Sequence, residues 1–211
     1  MNFVVYITCV TASYLLGAVP SGLIVAQVRG VDIRTVGSGN IGATNVLRSV
    51  GKPWGYLTFF CDAAKGFTSS FVFPFLAVKF LPDIDKIPLG ICCAGAAVIG
   101  HNWPIYLHFK GGKGIAVSAG ALLGITPMAV SISLAIWIIA FLCTRYVSVA
   151  SILGAGSIAA SAWLLYYPQT IIVPVSLTVL AGLAIWRHRI NIRRLMQGTE
   201  NRFKRKKKGQ Q

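Results

Sequence analysis

From Phe3 to Trp186 the chain is a succession of long apolar stretches, with most of the polar content gathered at the joints between them. The stretches are residues 3–28, 54–80, 87–100, 114–143, 147–166 and 171–186. Roughly 20 apolar residues in a helix cross a bilayer core. Inside that core every backbone N–H and C=O needs a partner within the protein, which a helix supplies locally. The pattern therefore predicts an all-α integral membrane protein. Residues 114–143 are too many for one untilted crossing, and Thr126-Pro127 lies near their middle. A proline in a helix interior removes a hydrogen bond and clashes with the preceding turn. The stretch is read as two short helices, residues 115–125 and 128–143, giving a bundle of about seven transmembrane or partly spanning helices.

Charge tests that number. Only 12% of residues are charged, and Lys and Arg outnumber Asp and Glu 20 to 5. A net charge of +15 would suit a nucleic-acid binder. Here, however, the positive residues sit between and after apolar stretches, so no nucleic-acid partner is expected. The run Lys204-Arg205-Lys206-Lys207-Lys208 reads as a topogenic signal held at an anionic cytoplasmic leaflet. With that end in the cytoplasm, alternation also places Arg145, Lys110, Lys113 and residues 29–52 inside, and the N-terminus outside. Only Lys79 and Lys86 fall outside, near Asp83 and Asp85. Without the break at Pro127 this agreement with the positive-inside rule fails. Five full crossings with two re-entrant pieces would satisfy the same parity. Residues 1–200 are read as a single membrane-embedded domain and residues 201–211 as a basic cytoplasmic tail.

Cys9, Cys61, Cys92, Cys93 and Cys143 are odd in number and all lie in apolar stretches. Thiols there pack as small hydrophobes, and neither a disulfide framework nor a metal site is expected. Residues 1–10 lack the basic start of a secretory signal peptide and are read as part of the first span.

Three polar segments could carry chemistry, and all three fall on the cytoplasmic side of this topology. The first is Gly37-Ser38-Gly39-Asn40-Ile41-Gly42-Ala43-Thr44-Asn45-Val46-Leu47-Arg48. Its glycines allow close backbone approach. Ser38, Asn40, Thr44 and Asn45 add uncharged donors, and Arg48 adds a planar fork for phosphate or carboxylate. By composition alone a polar connecting loop explains it equally well. No Ser-His-Asp order is visible, so covalent catalysis by serine is not indicated.

The second segment joins Gly100-His101-Asn102-Trp103-Pro104 to Phe109-Lys110-Gly111-Gly112-Lys113-Gly114. Backbone N–H groups at a helix start, with a lysine beside them, form an anion cradle. The spacing is not that of a nucleotide-binding P-loop. Taken alone, His101 reads as a buried, satisfied histidine at a helix end.

The third segment combines Arg145-Tyr146-Val147-Ser148 with His188, Asn191 and Gly198-Thr199-Glu200. His188 and Asn191 share one face of a helix. Glu200 is the lone acid of a basic end and reads as a local counterion or cap. Asp62 and Lys65, three apart within the second stretch, can pair across a turn, either as a site or as a packing lock.

Together these motifs resemble the PlsY family, membrane-embedded acyltransferases that use acyl phosphate to acylate glycerol 3-phosphate. The likeness rests on residues 38–48, 100–114, 145–148 and 188–200 and extends over nearly the whole chain. It implies transfer of a fatty acyl group from acyl phosphate to the 1-hydroxyl of sn-glycerol 3-phosphate. The products would be lysophosphatidic acid and phosphate, in the first acylation of phospholipid synthesis. It also implies a multi-pass protein of the bacterial inner membrane, with its active site facing the cytoplasm and no cofactor. Membrane lipids and other enzymes of phospholipid synthesis are the partners it suggests.

On that basis Ser38, Asn40, Arg48, His188 and Asn191 are the expected catalytic residues. Thr44, Asn45, His101, Lys110, Gly111, Gly112, Lys113, Gly114 and Ser148 are the expected substrate-binding residues. Asp62, Lys65, Arg145 and Glu200 are expected to be structural. The hydroxyl proton goes either to His188 or to a substrate phosphate oxygen. The second is favoured, because no carboxylate in the sequence is placed to orient His188. A transporter of anionic metabolites would need a midplane site, and a lipid-binding scaffold would leave the glycine-lysine segment without a purpose.

Overall fold

The computed structural model of the chain describes residues 2–203, so the basic run at 204–208 lies outside the described residues. All regular structure among the described residues is helical. The helices are α1 (Asn2–Ala18), α2 (Ser21–Val28), α3 (Ala43–Ser49), α4 (Lys52–Phe67), α5 (Phe73–Phe80) and α6 (Lys86–Asn102). They continue with α7 (Ile115–Leu123), α8 (Pro127–Thr144), α9 (Val147–Tyr166), α10 (Ile172–Arg187) and α11 (Arg189–Met196). The division at Pro127 is present, between α7 and α8. A further break splits the first stretch at Val19-Pro20, where Pro20 precedes α2 with ψ 70°. The second stretch also changes character. α4 passes through a π-helical turn (Thr68–Val72) into α5, and the proline at 74 follows that turn.

Among the described residues, three segments are long and apolar enough to cross a membrane: Asn2–Val28, Pro127–Thr144 and Val147–Tyr166, with mean hydropathies of 1.7, 2.1 and 1.6. Ile172–Arg187 is a shorter apolar helix. The surface supports the same solvent. Phe3, Phe60, Ile139 and Leu164 are exposed, whereas Asp62, Lys65, Ser69, Ser70, His101 and Asn102 are buried. Water would reward the reverse arrangement.

The chain divides into two compact units, Met1–Val130 and Ser131–Gln211. In the first unit α1 packs on α6, and α4 packs on α7. Both crossings depend on the absence of a side chain. A Cβ on Gly17 would collide with the backbone of Ala97, and one on Gly100 with the backbone of Tyr14. Gly66 faces Val117 and Gly120 faces Ala63 in the same way. Lipid tails are as apolar as leucine, so close van der Waals approach through small residues replaces the hydrophobic drive between helices. Ser70 Oγ adds a hydrogen bond across the second crossing, to the carbonyl of Ala121 at 2.6 Å.

In the second unit α9 packs on α10. Ser133 Oγ donates to the Gly154 carbonyl at 2.8 Å, and Trp137 Nε1 donates to Ser151 Oγ at 3.2 Å, tying α8 to α9.

Gly120→Ala should therefore lower stability in detergent by about 1–3 kcal/mol, the usual cost of overpacking. Gly156→Ala, where a Cβ meets nothing within 4 Å, should be neutral or slightly stabilising. Thermal unfolding of the two variants checks the contrast.

Candidate active site

Residues 29–42 form an irregular loop, and its shape is set from within. Ile33 and Ile41 are buried in a cluster with Leu23, Ala26 and Val46, which anchors the loop on α2 and α3. Asn45, 2% exposed, does the rest. The two N–H groups of its Nδ2 are shared among the carbonyls of Ile33, Val36 and Asn40, at 3.0, 3.1 and 2.9 Å. Its Oδ1 accepts the Ser38 N–H at 3.0 Å. The Asn45 amide is thus engaged with the loop backbone, and it shapes the segment that carries Ser38 and Asn40. Gly37, at φ 62°, turns the chain where a Cβ would collide with that amide. Asn40 Oδ1 accepts from the Gly42 N–H at 2.8 Å, just ahead of α3. Thr44 lies in the first turn of α3 and Arg48 in its last. On the outer edge, hydrogen bonds from Arg34 hold the exposed Asp32 carboxyl below its usual range.

The second segment is held more tightly. α6 ends at Asn102, and the chain makes a 3-10 turn (Ile105–Leu107) before two residues of positive φ, His108 at 50° and Phe109 at 62°. It returns beneath the end of α6, where the Gly112 N–H donates to the His101 carbonyl at 3.0 Å. A side chain at 111 would strike the His101 carbonyl, and one at 112 would strike the imidazole Nε2. Gly114, at φ 78°, then opens α7. These glycines bring a bare backbone to the start of a helix whose first N–H groups point outward. Lys113 is half-buried there and Lys110 is exposed.

Asn102 was not among the site residues expected from sequence. It is fully buried, and neither atom of its amide has a hydrogen-bond partner among the described residues. A Cβ on Gly114 would lie 2.9 Å from its Oδ1. Leaving such an amide unpaired costs about 1–3 kcal/mol. The available signal was its place between His101 and Trp103 in an otherwise apolar helix end.

Asp62 and Lys65 do pair, with Lys65 Nζ 2.9 Å from Asp62 Oδ1 and both side chains buried. His101 joins them from α6, its Nδ1 3.1 Å from Lys65 Nζ.

In the second unit, α11 ends in a left-handed Gly198 at φ 67°, with the Thr199 N–H bonded to the Arg194 carbonyl at 2.8 Å. This is the Schellman way of ending a helix. It turns Glu200 back, so that Oε1 accepts from Ser148 Oγ at 2.9 Å and from Asn191 Nδ2 at 2.8 Å. Arg145, at φ 64°, accepts at its carbonyl from the Phe203 N–H, and Phe203 packs edge-on against Phe141. His188 is 3% exposed, and its Nδ1 lies 2.8 Å from the Ala184 carbonyl. A carbonyl can only accept, so Nδ1 carries a proton, and in the neutral ring Nε2 holds the lone pair. A backbone carbonyl therefore fixes the tautomer that the sequence had left without an orienting carboxylate.

The shared acceptor yields a prediction. Glu200→Gln keeps an oxygen for both donors and should retain most activity. Glu200→Ala removes it and should cost about 1–3 kcal/mol, with a matching fall in activity, as read by thermal unfolding and turnover.

Comparison with known proteins agrees with this architecture. The glycerol-3-phosphate acyltransferase family model matches residues 7–198. A glycerol-3-phosphate acyltransferase of Geotalea daltonii is 42% identical over 201 residues, covering 94% of this chain and 98% of its own. One of Aquifex aeolicus is 41% identical over 191 residues, covering 90% and 95%. Two crystal structures of PlsY, described as an integral membrane glycerol 3-phosphate acyltransferase, superpose with TM-scores of 0.85 and 0.82 at 38% and 37% identity. Each spans 94% of this chain, and 96% and 95% of the solved chain respectively; one is the glycerol 3-phosphate form and the other the lysophosphatidic acid form. The all-helical chain, with its apolar exterior and buried polar groups, belongs to the glycerol-3-phosphate acyltransferase family of integral membrane proteins.

Proposed function

We propose that this chain transfers a fatty acyl group from acyl phosphate to the 1-hydroxyl of sn-glycerol 3-phosphate, forming lysophosphatidic acid and inorganic phosphate. The observation that carries the reading is the bare glycine backbone at the start of α7. It is held against His101, beside the buried amide of Asn102 and the half-buried Lys113. Backbone donors with a lysine at a helix start suit a phosphate. The two forms in which the PlsY relatives were solved carry the acceptor and the product of this reaction.

Roles follow by chemistry. Gly111, Gly112, Lys113 and Gly114, with Lys110 and His101 nearby, hold the phosphate of glycerol 3-phosphate. Ser38, Asn40 and Arg48, on the loop shaped by Asn45 and on α3, which also carries Thr44, hold the acyl-phosphate head and the developing oxyanion. Removing one oxyanion donor typically costs about 3 kcal/mol of barrier. His188 Nε2 accepts a hydrogen bond from the glycerol hydroxyl, and Ser148 and Asn191 support it through Glu200. The hydroxyl oxygen attacks the acyl carbonyl carbon, the C–O bond to phosphate breaks, and the proton leaves on a phosphate oxygen. A backbone carbonyl behind His188 fixes its tautomer but offers no negative charge to an imidazolium. That arrangement suits hydrogen bonding better than full proton transfer. We place the enzyme in a bacterial inner membrane, with about seven segments, the N-terminus outside and the site facing the cytoplasm, on the positive-inside rule. Acyl phosphate reaches this site without a carrier protein, and other phospholipid-synthesis enzymes consume the product.

Purified protein in detergent, given acyl phosphate and labelled glycerol 3-phosphate with no carrier protein, should form lysophosphatidic acid. Acyl-CoA should not replace the donor. His188→Gln should lose rate without changing the shape of the pH–rate profile. Turnover with acyl-CoA alone, or a profile reshaped by His188→Gln, would contradict the donor or the proton route respectively.

A further inference from the structure

Beside His101 lies a buried ion pair, Asp62 and Lys65, to which acyl transfer itself assigns no task. Lys65 on α4 is 5% exposed, and Asp62, one turn earlier, is 2% exposed. An ammonium has three N–H groups and no lone pair. Three acceptors meet Lys65 Nζ: Asp62 Oδ1 at 2.9 Å, the Val19 carbonyl at 2.8 Å and His101 Nδ1 at 3.1 Å. Val19 and His101 take two of the N–H groups in hydrogen bonds, and Asp62 stands at ion-pair distance as the counter-charge. In the third contact the lysine can only donate, so Nδ1 must be the acceptor.

Asp62 does not overturn this assignment. Its Oδ1 stands 3.7 Å from His101 Nδ1, beyond hydrogen-bond range. A proton on Nδ1 would point at an ammonium already closer than the carboxylate. A neutral imidazole that accepts at Nδ1 carries its proton on Nε2. Nε2 is the edge that abuts Gly112, where a Cβ would collide with it. The His101 carbonyl meanwhile accepts the Gly112 N–H at 3.0 Å. One residue therefore touches the glycine segment through both its backbone and its ring.

We propose that Lys65 is a positioning residue that holds His101 in the neutral Nε2–H form, directing an uncharged donor at the phosphate held by the Gly111–Gly114 segment. The proposal rests on the phosphate reading of that segment. Asp62 keeps the lysine charged and aimed, and Val19 fixes its second N–H. The opposite arrangement has a distinct signature. An uncharged lysine would accept from Nδ1–H and leave a lone pair on Nε2, which repels phosphate oxygens.

The ring can be read directly. The chain has three histidines, and nitrogen-15 NMR of labelled full-length protein in detergent resolves their ring nitrogens, with His101 assigned by its loss in His101→Gln. At neutral pH His101 should show a protonated Nε2 and a bare Nδ1, and the Nε2 signal should shift when glycerol 3-phosphate is added. Lys65→Met should give a mixture of tautomers. It should also raise the KM for glycerol 3-phosphate by about tenfold or more, the size of one lost bond to a charged group. The kcat and the acyl-phosphate KM should change little, and Lys65→Met/His101→Gln should be no worse than His101→Gln alone. A wild-type His101 protonated at Nδ1, or at both nitrogens, overturns the proposal even if Lys65→Met does not fold. So does a Lys65→Met loss confined to kcat, or an Nε2 signal indifferent to bound glycerol 3-phosphate. Failure of the wild-type protein to bind glycerol 3-phosphate at all would instead bring down the functional reading beneath it.

Discussion

Taking a carboxylate and an ammonium out of water costs several kcal/mol for each ion, and the first unit does so at Asp62 and Lys65, between helices whose outer faces are apolar. The cost is offset only because the pair is closed. The lysine ammonium lies at ion-pair distance from the carboxylate and is hydrogen-bonded to a carbonyl and an imidazole nitrogen. The acceptors come from three parts of the chain: α4 itself, the break after α1 and the end of α6. The pair thus ties the Val19-Pro20 break and the end of α6 to α4. His101 passes that fixity to the glycine segment that opens α7. Breaking such a pair by removing one partner leaves a buried charge, so the geometry of the glycine backbone depends on an interaction well inside the bundle.

Much of this was legible in the sequence. The apolar stretches and Pro127 gave the succession of helices from α7 to α10 to within a few residues. The spacing of Asp62 and Lys65 announced their pairing. What escaped is what depends on tertiary contact. The break at Pro20 lay inside a stretch whose apolar pattern continues on both sides, so periodicity did not mark it. The π-helical turn ahead of Pro74 has no periodic signature either. His101 alone looked like an ordinary helix-end histidine; only the packing of α6 near α4 brings its ring to Lys65. Asn45 read as one more polar residue of a ligand loop, yet its burial and its four backbone partners make it the residue around which that loop is arranged. Glu200 read as a local counterion, and the Gly198 turn makes it the acceptor that joins Ser148 to Asn191.

His188 and His101 are tuned in opposite senses by neutral or fully paired groups. His188 is set by a carbonyl at Nδ1 to present a lone pair, which suits a hydroxyl. His101 is set by a lysine at Nδ1 to present a proton, which suits a phosphate. The same side chain serves as acceptor or donor according to the chemistry behind its other nitrogen. That economy fits the proposed reaction, in which both substrates are phosphorylated and acyl transfer is a matter of positioning donors, acceptors and one proton.

The account turns on whether the glycine backbone beside His101 holds the phosphate of glycerol 3-phosphate. Calorimetric titration of glycerol 3-phosphate into the purified wild-type protein and into Gly112→Ala tests this directly, with thermal unfolding confirming that both are folded. A methyl at 112 would collide with His101 Nε2, so the ring or the glycine backbone must shift. The account predicts that the variant stays folded and loses glycerol 3-phosphate binding by about tenfold or more. A folded Gly112→Ala protein that binds glycerol 3-phosphate as tightly as the wild type would contradict it.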